Sequence, residues 1–314
     1  MKEFNIYLAI SPVHSDITMQ DALKCNMTHF LMAYGFPEVI KGLETLDKSE
    51  IEHISLIIDS GAFSAWSRGL KIDIDEYLEF CRDLTKKYSF KNVEVVNLDK
   101  IPAKPGTAPT REQIQESAEI SVENAEYMRK KGIIPMEVFH QGEDFSFLDT
   151  MIKRPENHYI GISPANDVGV PGRQAWLNQS FRRVELCGGI RSHGFGVTSP
   201  SLMANNPWTS VDSATYSILA GYGGVQVFEP RRCKFLLFNV GSNRGSAKSK
   251  AELSNQWDYC RKLFPEQIEK IDDLFSLRAR RLANIYSFSK AQEWIRENCQ
   301  NFKGSQPTFE ELLI

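Results

Sequence analysis

The 314-residue chain has no paired cysteines. Cys25, Cys81, Cys187, Cys233, Cys260 and Cys299 are widely scattered, with no CxxC or CxC spacing. That argues against a disulfide framework and a compact zinc knuckle, and leaves most of them to be read as buried thiols. No apolar run is long enough to cross a bilayer, and the N-terminal MKEFNIYLAI has no long apolar core followed by a small-residue cleavage site. The chain therefore reads as soluble and cytoplasmic, without a membrane partner. An excess of positive charge is also missing. The formal net charge is −3, so the chain is not the basic body of a simple nucleic-acid coat, and a polyanion would have to be met by local patches. No internal repeat, heptad run or low-complexity tract stands out.

What is present is enough apolar material, 42% of the residues, to bury a large core. Strand-like runs (NIYLAI, THFLMAY, ISLIID, VEVVNL, IIPMEVF, HYIGIS, SHGFGV and VQVFE) alternate with helical patterns, of which DIDEYLEFCRDLTKKY and TREQIQESAEISVENAEYMRKK are the clearest. About eight strands suggest an α/β barrel. In the second helix Thr110 and Gln113 match a capping box and Gly132 closes the element. From about Lys248 the strands stop, and WDYCRKLF, IEKIDDLFSLRARRLANIY and SKAQEWIREN read as amphipathic helix. The expected organisation is a barrel domain over residues 1–247 and a helical C-terminal extension, 248–314, packed on it.

Three of the short apolar runs end in an aspartate: Asp59 in LIIDSGAFSAW, Asp99 in VEVVNLDKIP and Asp212 in NPWTSVDSATY. An aspartate at a strand end often only caps the next helix, but the C-terminal ends of barrel strands are also where such enzymes carry their chemistry. Ser60-Gly61 and Ser213-Ala214 leave room for a ligand beside two of them. Further polar groups follow other strands: His140 and Gln141, Gly161 and Asn166, and His193, Gly194 and Gly196. A strand-end imidazole often bonds only to backbone, so His140 and His193 read first as structural. Asp99 with Gln141 could satisfy the donors and acceptor of a guanine edge, and Gly161 could let a flat heterocycle approach. Phe63, Trp66, Phe195 and Trp208 could stack on a base, although core packing is the simpler account of each. Three basic patches could face phosphates: EPRRCK (Arg231, Arg232, Lys234), NRGSAKSK (Arg244, Lys248, Lys250) and SLRARR (Arg278, Arg280, Arg281).

The ordered set IDSGAFSAW, VVNLDKIP, VFHQGED, YIGISPAND, HGFGVTSPSLM and NPWTSVDSATY resembles the tRNA-guanine transglycosylase superfamily. It looks closest to the DNA-modifying branch of bacteriophages and bacterial genomic islands, which exchanges guanine in DNA for a 7-deazaguanine. The resemblance spans about Ile54 to Val227. It implies a TIM (β/α)8-type barrel with Asp212 as nucleophile, Asp59 as general acid/base, and Asp99 with Gln141 reading the base. Gly161 and Ile162 would add backbone contacts, with His193, Gly194, Ser60 and Phe63 completing the substrate pocket. The partners implied are guanine-containing DNA and a free 7-deazaguanine such as 7-cyano-7-deazaguanine. A homodimer stays open because related enzymes often dimerise.

Two departures bear on the branch. The tRNA enzymes carry a CxCxxC…H zinc site after the nucleophile strand, where FEPRRCKFLLFNVG has only Cys233, so neither a metal nor any other cofactor is expected. Asp212 is followed by Ser213-Ala214-Thr215-Tyr216 instead of the Pro-Thr-Arg segment of those enzymes. Both favour DNA as substrate. A tRNA-acting transglycosylase and a non-catalytic nucleic-acid-binding barrel remain the alternatives.

Overall fold

The computed structural model describes residues 3–241 and 246–299, without the side chains of residues 37 and 246–250. Eight parallel strands form one sheet: β1 Asn5–Ala9, β2 His29–Ala33, β3 Ser55–Asp59, β4 Asn92–Val95, β5 Val138–His140, β6 Tyr159–Ser163, β7 Arg191–Gly194 and β8 Ser210–Ser213. Their order is β4-β3-β2-β1-β8-β7-β6-β5. The two edges meet at a parallel bridge between Val96 and Met136. There the Met136 amide donates to the Val95 carbonyl (2.7 Å) and the Asn97 amide to Met136 (3.0 Å), so the curled sheet joins edge to edge as a TIM (β/α)8-type barrel, as expected.

Side-chain alternation along the strands separates two apolar layers. Tyr7, Leu31, Ile57, Val96, Met136, Val138 and Tyr159 form an interior cluster, while Ile6, Leu8, Phe30, Leu56, Ile58, Ile160 and Ile162 belong to the shell between sheet and helices. The helix Arg111–Lys130 starts at Thr110, whose side chain accepts from the Gln113 amide while Gln113 reaches back, and Gly132 follows it at φ +86°. Asp73 caps the helix Ile74–Lys87 by accepting from the Asp75 and Glu76 amides.

The eighth strand differs from the expected one. VQVFE is not in the barrel: it is β9, Gly224–Glu229, paired antiparallel with β10, Lys234–Asn239. The barrel place is taken by Ser210–Ser213, the short polar strand that carries Asp212.

The C-terminal segments RARRLANIY and SKAQEWIREN are parts of one helix, Leu277–Asn298, while IDDLF forms a 3₁₀ turn before it. This helix packs on the barrel and on β9 through buried Ile285, Phe288, Ala291 and Ile295 and through polar contacts. Gln292 accepts from the Ile6 amide (2.6 Å), Arg296 donates to the Phe4 carbonyl (2.7 Å), and Asn284 accepts from the Gln226 amide (2.7 Å). The basic stretch SLRARR is used the same way. Arg278 makes a bidentate pair with Asp21, and Arg281 donates to Thr18. Arg280 donates to the carbonyls of Ala220, Leu274 and Phe275. These cations serve packing rather than phosphate binding. Arg244 and the side chains of Lys248 and Lys250 lie outside the described residues, as does the chain from residue 300.

Candidate active site

Asp59, His140 and Asp212 lie at the C-terminal ends of β3, β5 and β8, and Asp99 lies in the loop that follows β4. Asp59 closes β3. Gly61, at φ +72°, turns the chain so that its amide donates to Asp59 Oδ2 (3.1 Å), and any Cβ there would stand 2.5 Å from the Tyr34 carbonyl oxygen. Burial raises the Asp59 pKa to about 7. The amides of Gly61 and Ser60 work against that rise, while the charges of Asp212 and Asp99 add to it. The three aspartates identified in the sequence therefore share one electrostatic site.

Asp212 is held from the side and from below. Gly196, at φ +64°, donates its amide to Oδ1 (2.8 Å). Beneath lies His193, fully buried, with Nε2 3.4 Å from the same oxygen but not aligned for a hydrogen bond. His193 Nδ1 is bonded to Ser210 Oγ (2.5 Å), which is also bonded to the Tyr159 hydroxyl. The rings of Tyr7, Tyr159 and Phe195 stand edge-on around the imidazole. His193 is thus a support under Asp212, and not the substrate contact expected from the sequence.

Asp99 is held from two sides. Asn97 Nδ2 donates to Oδ1 (2.8 Å) and His140 Nε2 lies 3.0 Å from Oδ2. Burial by itself would lower the His140 pKa, but the hydrogen bond to Asp99 and the charge of Glu143 outweigh it and raise the value to about 9. The ring is therefore protonated at neutral pH. Glu143 accepts from the His140 amide (2.9 Å), and burial lifts its pKa to about 7 against the charge of His140. In the sequence His140 reads first as a structural imidazole, and Glu143 is not among the residues singled out. The available signal was their spacing across Gly142, whose φ of +115° makes the turn. Gln141 accepts the Ala165 amide with Oε1 (2.9 Å), which leaves its NH₂ for a ligand.

Other expected contacts are placed differently. The interior face of Gly161 is occupied: a Cβ there would stand 2.5 Å from the Phe195 ring and 2.9 Å from Val138. Its amide donates to the Glu137 carbonyl (2.7 Å), so it cannot offer a flat surface to a base. Ile162 points into the shell between sheet and helices, and its carbonyl accepts from Phe195 (3.1 Å). Gly194 faces outward too, where a Cβ would meet Val197 at 2.8 Å and Trp208 at 3.0 Å. Trp208 is core, with Nε1 donating to Leu202, and Phe195 fills the top of the barrel. Ser60 is 2% exposed and contributes its amide near Asp59. Phe63 lies open on the rim at 65% exposure.

A groove of about 310 Å³ opens beside Asp99, lined among others by Trp66, Leu70, Lys71, Lys100 and Asn124. Chemically, the rim offers one carboxyl that exchanges its proton near neutrality, one carboxylate site fixed by an amide, and a carboxylate–imidazole pair that can read polar edges. Among the described residues no group of His, Cys, Asp and Glu side chains converges as a metal site requires, and no helix is long and apolar enough to span a membrane. No protein-family model matches the chain, and no curated protein matches it.

Proposed function

We propose that the protein is a DNA guanine transglycosylase that exchanges guanine for a 7-deazaguanine by double displacement. The observation that carries this reading is the Asp59–Asp212 arrangement: two strand-end carboxyls close enough to interact, one titrating near 7 and the other oriented by the Gly196 amide. Two carboxyls in different environments are what a glycosidic exchange needs.

In the first half-reaction an Asp212 oxygen attacks C1′ of the target deoxynucleotide. The C1′–N9 bond breaks, its electron pair leaves with the base, and Asp59 supplies the proton that neutralises it. In the second half-reaction the incoming base gives its N9 proton to Asp59, N9 bonds to C1′, and the ester to Asp212 opens. A group with a pKa of about 7 suits both transfers, because it is neither a reluctant donor nor a weak acceptor at neutral pH. Asp99, held by Asn97 and protonated His140, would accept from the base's ring N–H and exocyclic amine, and the free NH₂ of Gln141 would donate to its carbonyl. A stacked base must first leave the duplex, at a cost of a few kcal/mol recovered in the pocket.

The test is incubation of the purified protein with radiolabelled guanine and either guanine-containing DNA or bulk tRNA. Label in DNA alone supports the proposal, label in tRNA moves the substrate to RNA, and label in neither polymer counts against base exchange by this chain.

A further inference from the structure

The segments that follow β3 and β4 meet beside Asp99. Trp66, on the helix Ala62–Ser67, donates its indole N–H to the Ala103 carbonyl (2.9 Å), which ties the two loops together. The groove beside Asp99 runs between them. A second groove of about 380 Å³, lined by Lys104, Thr107, Gln113 and Glu116, shares Lys100 and Ile101 with the first. Taken together as one channel, the two adjoining grooves extend from Asp99 to the first turns of the helix Arg111–Lys130.

Two features of this channel point to one occupant. Lys71, Lys100 and Lys104 line it, are exposed, and take part in none of the ion pairs among the described residues, on a chain whose net charge is −3. Trp66 and Leu70 line the inner groove, Leu70 is 56% exposed, and the exposed ring of Phe63 stands 5.4 Å from that of Trp66. Free cations spaced along a groove beside an open aromatic face fit a single nucleic-acid strand, whose phosphates need charge and whose bases need a stacking surface. Glu116 is the acidic group in the outer groove and leaves the balance positive.

We propose that this channel holds single-stranded DNA on one side of the extruded nucleotide, with Phe63 stacking on a flanking base and Lys71, Lys100 and Lys104 facing its phosphates. The inference rests on the proposed function for its choice of DNA, and it gives that reading the phosphate-binding surface that SLRARR does not supply.

The experiment measures fluorescence anisotropy of a labelled oligothymidylate, which has no guanine, across a salt series. Wild type is expected to bind. The triple variant K71E/K100E/K104E is expected to bind at least about tenfold more weakly, with a log–log salt slope shallower by about 2. F63A is expected to lose about tenfold with the slope unchanged. K86E/K130E, at the helix ends on the opposite face of the barrel, serves as the control, and circular dichroism checks that every variant is folded. No binding by wild type, retained binding in the triple variant, or an equal loss in the control overturns the proposal. Tighter binding of the matching oligouridylate overturns the choice of DNA. Because the probe cannot undergo exchange, strand binding without label transfer would uphold the channel and sink the transglycosylase reading alone.

Discussion

His140 Nε2 stands 3.0 Å from Asp99 Oδ2, and this contact helps to raise the His140 pKa to about 9. Since the folded-state pKa of His140 is raised to about 9 from 6.5, its stabilising contribution is full below pH 6.5 and is lost as pH rises through 9. Denaturant unfolding should show wild type more stable than H140Q at pH 6, with the gap closing by pH 10. A gap that persists unchanged at pH 10 would show that the ring acts by packing rather than by charge.

Asp59 has the opposite effect. Its pKa is raised from 3.8 to about 7, so the folded state binds the proton more tightly and stability falls as pH rises from about 4 to 7. D59N removes that cost. It should be more stable than wild type at pH 8 by on the order of 4 kcal/mol, with the advantage fading toward pH 4. Base exchange should drop by about 10³-fold in the same variant, because the proton carrier is gone. Full exchange activity in D59N would assign the proton to another group.

Asp212 is expected to form the bond to C1′. D212N keeps the shape and the Gly196 contact, so thermal unfolding should be close to wild type while exchange falls by at least about 10³-fold. Wild type mixed with DNA and no incoming base should give a denaturation-resistant protein–DNA adduct that D212N does not form. An adduct in D212N would place the nucleophile elsewhere.

Gly161 is needed for space. In G161A the new methyl meets the Phe195 ring and Val138, so the barrel must shift. The expected cost is about 1–3 kcal/mol, read as a lower denaturant midpoint. Unchanged stability would mean that Phe195 can move without penalty.

Arg280 separates packing from phosphate binding. R280M removes its three hydrogen bonds to carbonyls and leaves those of Leu274 and Phe275 without this donor, for a loss of about 2–4 kcal/mol. Affinity for single-stranded DNA should not change. Weaker DNA binding by a folded R280M would restore SLRARR as a phosphate surface.

Several features of the fold are local enough to be legible from sequence. The Thr110–Gln113 box depends on four consecutive residues, and the placement of Asp59, Asp99 and Asp212 at or just past strand ends follows from apolar runs that stop at a carboxylate. VQVFE was misleading because a five-residue run looks the same in a barrel strand and in a hairpin. SVDS carries Asp212 but is too short and polar to count among the eight strand-like runs, and only its pairing with β1 and β7 makes it the eighth barrel strand. Ile162 and Gly194 follow site residues in the chain, but a shift of one position along a strand turns a side chain to the other face of the sheet.

The sequence by itself determined an α/β chain with three carboxylates at or just past strand ends, since alternation, capping and apolar runs act over a few residues. Only the tertiary structure decided which groups meet. Barrel closure brings Asp212 near Asp59, sets His193 beneath Asp212, lays Phe195 over Gly161, and turns His140 toward Asp99. Each of these contacts joins residues from different strands or the segments that follow them. Burial and charge acting across such contacts, rather than the identity of any one residue, raise Asp59 to about 7 and His140 to about 9.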